Sequence, residues 1–204
     1  MERYRKQLGK TVRVLAHLLK VGKIDPNKEM ELYYTCKKGK QVEKNSSEFQ
    51  KKIEAHTFSD RPCNIFQAFG EIATEILRSS ANGNRVSIYI LTNGRWNAAP
   101  NSPDDLCGVD HVIKRFLDEI VRGGRESNHI GIQFIRFYKL DNPKDKAGLA
   151  RLQFLDDNLA EHFKNMGLDV AHGDIVDTTD WDGDVGKMLL GSVRSEMDGL
   201  DAGR

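Results

Sequence analysis

The run Val86-Ser87-Ile88-Tyr89-Ile90-Leu91-Thr92 constrains this chain more than any other segment. Nearly every residue in it is apolar or β-favouring, and polar residues do not alternate with apolar ones. A strand of that composition hides both of its faces, as strands do in a parallel sheet with helices packed on each side. Asn93-Gly94 then ends the strand abruptly.

The rest of the chain repeats the theme. Leu8, Val12, Leu15 and Leu19 recur at helical spacing, and so do Ile65, Phe69, Ile72 and Ile76. Val109, Ile113, Phe116 and Ile120 mark a third helix. Leu152, Leu155, Leu159 and Phe163 mark a fourth, over 148–163. Asn64 is placed to cap the second of these, with Gln67 as its reciprocal partner. Residues 30–36, 130–138 and 174–178 read as strands, and 185–197 as a closing helix. Residues 37–46 are polar and at most hairpin-like. Strands and helices in regular alternation predict an α/β sandwich with a mainly parallel sheet and right-handed crossovers. The pattern fits a single domain over 1–198, with 199–204 as a frayed tail. Function in such sheets lies beyond the carboxyl ends of the strands. That edge would present Cys36, the segment Asn93 to Trp96, Lys139 to Asp141, and Thr178 to Trp181.

Charge and composition remove several classes of function. The net charge of +1 hides an asymmetry. The first 56 residues hold 14 Lys/Arg against 7 Asp/Glu, and the remainder 17 against 23. The early cations fall between apolar helix positions, with no interleaved aromatics to stack on bases, so nucleic acid is not the expected partner. No apolar run approaches the ~18 residues of a membrane span, and no signal-peptide core follows the charged N-terminus. Cys36, Cys63 and Cys107 are odd in number and far apart, which suits a reducing, cytoplasmic setting.

Motifs of the common enzymes are missing. No GxGxxG follows a strand, and the chain has neither GxxxxGK[ST] nor GxSxG. The six histidines never fall at HxH or HxxxH spacing. Asp180-Trp181-Asp182-Gly183-Asp184 imitates a calcium loop, but its glycine is misplaced and Gly191 stands where the closing Glu belongs. It reads as an acidic turn in which Asp182 or Asp184 caps the last helix. Asp156-Asp157 reads as a solvated pair, one member of which ties down a neighbouring loop. Cys63 precedes a helix N-terminus, where a thiolate is favoured, but no histidine lies near it in sequence.

VSIYILTNG over 86–94 resembles the strand ending in Leu-Thr-Asp-Gly of von Willebrand factor A-like domains. Arg61-Pro62-Cys63-Asn64-Ile65, the segments 131–137 and 152–157, Asp174 to Thr179, and Lys187 to Gly191 follow in that family's order. The set is similar to a group of intracellular, mostly fungal members and covers essentially the whole chain. The resemblance implies a Rossmann-like three-layer sandwich whose first, central strand is absent. It also locates a degenerate metal-ion-dependent adhesion site at Cys63, Asn64, Asn93 and Gly94. The Asp-x-Ser-x-Ser loop of the family is missing. A thiol at Cys63 and an amide at Asn93 stand where Thr and Asp ligands belong, and both suit Mg²⁺ poorly. No metal or other cofactor is therefore expected.

These residues lead to a non-enzymatic protein-binding module, with Arg95 and Trp96 as a solvent-reachable interface at the carboxyl edge. Self-association through exposed strand edges is a further expectation. One alternative is a truncated fragment without independent function. Another is an α/β hydrolytic enzyme using acidic loop residues, and Asp177, Asp180, Asp182 and Asp184 are the acids to consider for a cation.

Overall fold

A computed structural model describes residues 1–21, 30–58, 63–80, 86–96, 108–124, 129–139, 142–167 and 175–190. The chain forms two compact units, Met1–Pro62 and Cys63–Arg204. The sequence reading, with one domain over 1–198, does not draw that division. The 199–204 tail and the part of the closing helix beyond 190 lie outside the described residues.

In the first unit a short 3-10 turn, Glu2–Tyr4, leads into α1 (Arg5–Val21). Leu8 and Leu15 of the foreseen stripe are buried, while Val12 and Leu19 are half-buried. α1 packs against α2 (Ser46–Ala55), which contributes Phe49 and Ile53 one turn apart. The sequence reading passed over α2, although Asn45 and Glu48 form a capping signature. The Asn45 side chain accepts from Ser47 N at 2.9 Å. β1 (Met30–Tyr34) and β2 (Lys37–Glu43) make an antiparallel hairpin. This corrects the assignment of 30–36 to the parallel sheet. A strand followed by a two-residue turn pairs with its nearest neighbour, and the polar 37–43 segment can do so because a hairpin leaves one face wet.

The second unit is a mixed α/β structure. α3 (Ile65–Ser80), β3 (Val86–Thr92), α4 (Asp110–Arg122) and β4 (Ile130–Arg136) are followed by α5 (Pro143–Asp157), α6 (Leu159–Asn165), β5 (Val176–Asp180) and α7 (Val185–Leu190). β3, β4 and β5 form one parallel sheet in that order. The register pairs Ile88 with Ile132 and Ile90 with Phe134, and Ile132 in turn with Val176. On that face sit Phe69, Ile113, Phe116, Ile120, Leu152, Leu155 and Phe163 from α3 to α6, forming the main core. The helical stripes seen in the sequence after residue 63 supply most of its walls.

The opposite face carries Tyr89, Gln133 and Asp177 side by side. Here α7 packs against β4 and β5. The Tyr89 hydroxyl donates to the Leu189 carbonyl at 3.2 Å, and Lys187 Nζ lies 3.7 Å from Asp177 Oδ1.

Two boundaries move. The helix expected over 148–163 starts at Pro143, a residue suited to a first helical position, and breaks at Asn158 into α5 and α6. The strand expected over 174–178 runs instead from Val176 to Asp180, in register with Ile132 to Arg136.

Candidate functional site

The carboxyl ends of β3, β4 and β5 meet at one edge of the sheet. β3 leaves it through a turn that uses its own side chains. Gly94 N donates to Thr92 Oγ1 at 3.1 Å, and Arg95 N donates to Asn93 Oδ1 at 3.2 Å. Gly94 has φ +69°, a backbone conformation suited to glycine. The Asn93 side chain, a candidate binding group in the sequence, is thus buried and its oxygen is occupied in shaping its own loop.

Trp96 corrects an expectation. Its side chain is not an exposed interface residue but is 4% exposed, within the main core. The indole lies 6.3 Å from the Phe134 ring in a near-parallel stack. The Arg151 guanidinium sits 5.2 Å from the indole centroid and donates to the carbonyls of Gly94 at 3.0 Å and Trp96 at 2.8 Å. The reason is that the turn at Asn93-Gly94 carries the next residues back over the sheet. There a large ring gains most by leaving water. A parallel bridge between Trp96 and Cys63 brings the two loops together. Cys63 is half-buried.

Arg95 is not an open hot spot either. Its guanidinium lies 2.6 Å from Asp145 Oδ1, and the Asp145 side chain is fully buried. Asp145 Oδ2 also accepts from Lys139 N at 3.0 Å. This carboxylate therefore joins the loops after β3 and β4. Asn64 accepts from Gln67 N at 3.1 Å, as a cap should. The foreseen reciprocal bond is replaced, because Gln67 Nε2 donates to Glu71 Oε1 at 3.1 Å.

The four acids of β5 and of the turn after it are placed differently. Asp177 is within β5, buried beside Lys187. Asp180 receives Arg136 Nε at 2.8 Å and the Tyr138 hydroxyl at 3.2 Å. Burial first, and then the charge of Asp180, holds the Tyr138 phenol above its ordinary range. Asp184 caps α7 by accepting from Lys187 N at 2.8 Å, as the sequence suggests for this turn. Asp182 and Asp184 face solvent. Asp156 does not sit in solvent: it binds β5 through Thr178 N at 3.1 Å and Thr178 Oγ1 at 2.7 Å.

Trp181 stays half-exposed at this edge, as does Tyr138. Trp181 lies against Phe137, with ring centroids 6.1 Å apart and planes 13° apart. The sequence places it at the carboxyl edge, whereas Trp96 is the indole expected at the interface. No pattern distinguishes the two indoles, since only the direction of the turn decides which one faces in. Among the described residues no group of three His, Cys, Asp or Glu side chains could hold a metal. No protein-family model, curated protein or solved structure matches the chain.

Proposed function

We propose that the chain is a non-catalytic protein-binding module whose second unit is a degenerate von Willebrand factor A-like domain. The parallel sheet in the order β3-β4-β5 supports the Rossmann-like reading. The motif resemblance adds the family. Binding occurs at the carboxyl edge, where the polar groups of the β3 and β4 loops are spent on one another and hold the surface rigid. A preorganised surface loses little entropy on binding.

The observation that carries this reading is Trp181. It is a half-exposed indole fixed on Phe137, with the solvent-facing carboxylates of Asp182 and Asp184 in the same turn. An aromatic anchor with an acidic rim suits a basic segment of another protein. Selection of random peptides on the immobilised chain tests it. Selected peptides should be rich in Lys and Arg. Trp181→Ala should weaken their binding by roughly thirtyfold or more, the effect of losing a hot spot of about 2 kcal/mol. Equal binding by a folded Trp181→Ala variant would move the interface elsewhere.

A second reading is favoured by one observation. Among the described residues β3 has a strand neighbour on one side only, and it carries no charge. An edge of this kind invites antiparallel pairing with the same strand of a second copy.

A further inference from the structure

The first unit holds a thiol and an imidazole in contact. Cys36 occupies the turn between β1 and β2, is exposed, and lies with Sγ 3.6 Å from His56 Nε2. Twenty residues separate them in sequence. We propose that Cys36 is a modification site: a thiol activated by His56 that exchanges with small disulfides and so carries a reversible mixed disulfide.

Three features prepare the pair. His56 is the residue at which α2 ends, its N–H bonded to the Ile53 carbonyl at 3.1 Å. The carbonyl end of a helix favours a positive charge, here an imidazolium. The ring is also held in place. It stacks on Tyr34 at 4.0 Å with planes 17° apart, and Phe58 meets it edge-on at 4.8 Å. A nucleophile beside a base that a third group orients is the arrangement used to generate thiolates. Finally, the Tyr34 hydroxyl oxygen is buried with no hydrogen-bond partner among the described residues. Burial, and then negative charge at Cys36, holds its phenol above the usual range. It keeps its proton and stays a donor near the reacting sulfur.

The exchange balances. The Cys36 thiol gives its proton to His56 Nε2, and the thiolate attacks one sulfur of a disulfide R–S–S–R. The new Cys36–S–S–R bond forms as the old S–S bond breaks. The electron pair leaves on R–S⁻, which takes the proton back from His56. Cys36 and one R sulfur end as a disulfide, and the other R sulfur ends as a thiol. Cys63, half-buried in the second unit, serves as an internal reference.

Oxidised glutathione is the probe. The full chain is incubated with it at neutral pH, quenched at intervals, and the adduct mapped to each cysteine by mass spectrometry. Cys36 in the native chain should react roughly tenfold faster than Cys36 in the same chain unfolded in urea, and faster than native Cys63. His56→Gln should bring the native rate down to the unfolded one, and dithiothreitol should release the adduct. A native Cys36 no faster than the unfolded one would overturn the proposal. That comparison uses the wild-type chain alone and does not depend on whether the variant folds.

Discussion

Gly94 and Gly148 meet backbone to backbone. A Cβ on Gly148 would stand 2.3 Å from the Asn93 carbonyl oxygen, and one on Gly94 would stand 2.4 Å from the Gly148 carbonyl oxygen. This approach lays α5 against the loop after β3. It also brings Arg151, about one turn along α5, within reach of the Gly94 and Trp96 carbonyls. Gly148→Ala is therefore expected to destabilise the chain by about 1–3 kcal/mol, the cost of overpacking. At an exposed helical position the same change would add about 1 kcal/mol. The sign of the change in a urea melt decides the matter, and a gain would mean that α5 does not touch the loop.

Burial of Trp96 makes it a stability residue. Trp96→Ala should cost about 3–5 kcal/mol, the range for removing a buried aromatic ring. Arg151→Met keeps much of the stem that covers the indole but abandons two carbonyls, so it should cost less, about 1–3 kcal/mol. Denaturation midpoints of both variants check the order, and a Trp96→Ala variant as stable as wild type would return the indole to the surface.

Asp156 couples stability to pH. Burial raises its carboxyl above the ordinary range, opposed by the Thr178 hydrogen bonds and by Lys187. The folded chain then holds this proton more tightly than the unfolded chain. Its contribution is full below the unfolded carboxyl range and is lost as pH rises through the raised folded value. Asp156→Asn has no proton to lose and can still bond Thr178. Its stability relative to wild type should improve between about pH 4 and about pH 7. Thermal melts across that interval should show the gap widening in favour of Asn, and a constant gap would refute the coupling.

Gln133 sits in the middle of β4, 1% exposed, and neither atom of its amide group has a hydrogen-bond partner among the described residues. Exchange for an apolar side chain of similar size removes that desolvation cost. Gln133→Leu is expected to stabilise by about 1 kcal/mol or more. Chemical denaturation measures it, and a clear loss would reveal a bonded amide.

The uncharged β3 edge predicts concentration-dependent association of the wild-type chain. Light scattering should follow it, and Ser87→Lys, at the exposed position of β3, should reduce it by placing like charges together in the paired strands. A wild-type chain that stays monomeric as concentration rises would remove the self-pairing reading.

Sequence alone determined the walls of the core. Val109, Ile113, Phe116 and Ile120 have helical spacing and are all fully buried, and 86–92 forms a strand of the parallel sheet. Such patterns are local, because periodicity follows from the geometry of each element. The tertiary structure decided whatever depends on where a turn sends the chain. It made 30–34 half of a hairpin rather than a member of the parallel sheet, because the polar 37–43 segment was the nearer partner. It sent Trp96 inward and left Trp181 at the surface, although both follow strand ends. It also brought Cys36 to His56 through the turn after β1 and the end of α2, elements separated in sequence by β2. Spacing along a chain measures distance within one element. The chemistry of a site depends on distances between elements, and only packing sets those.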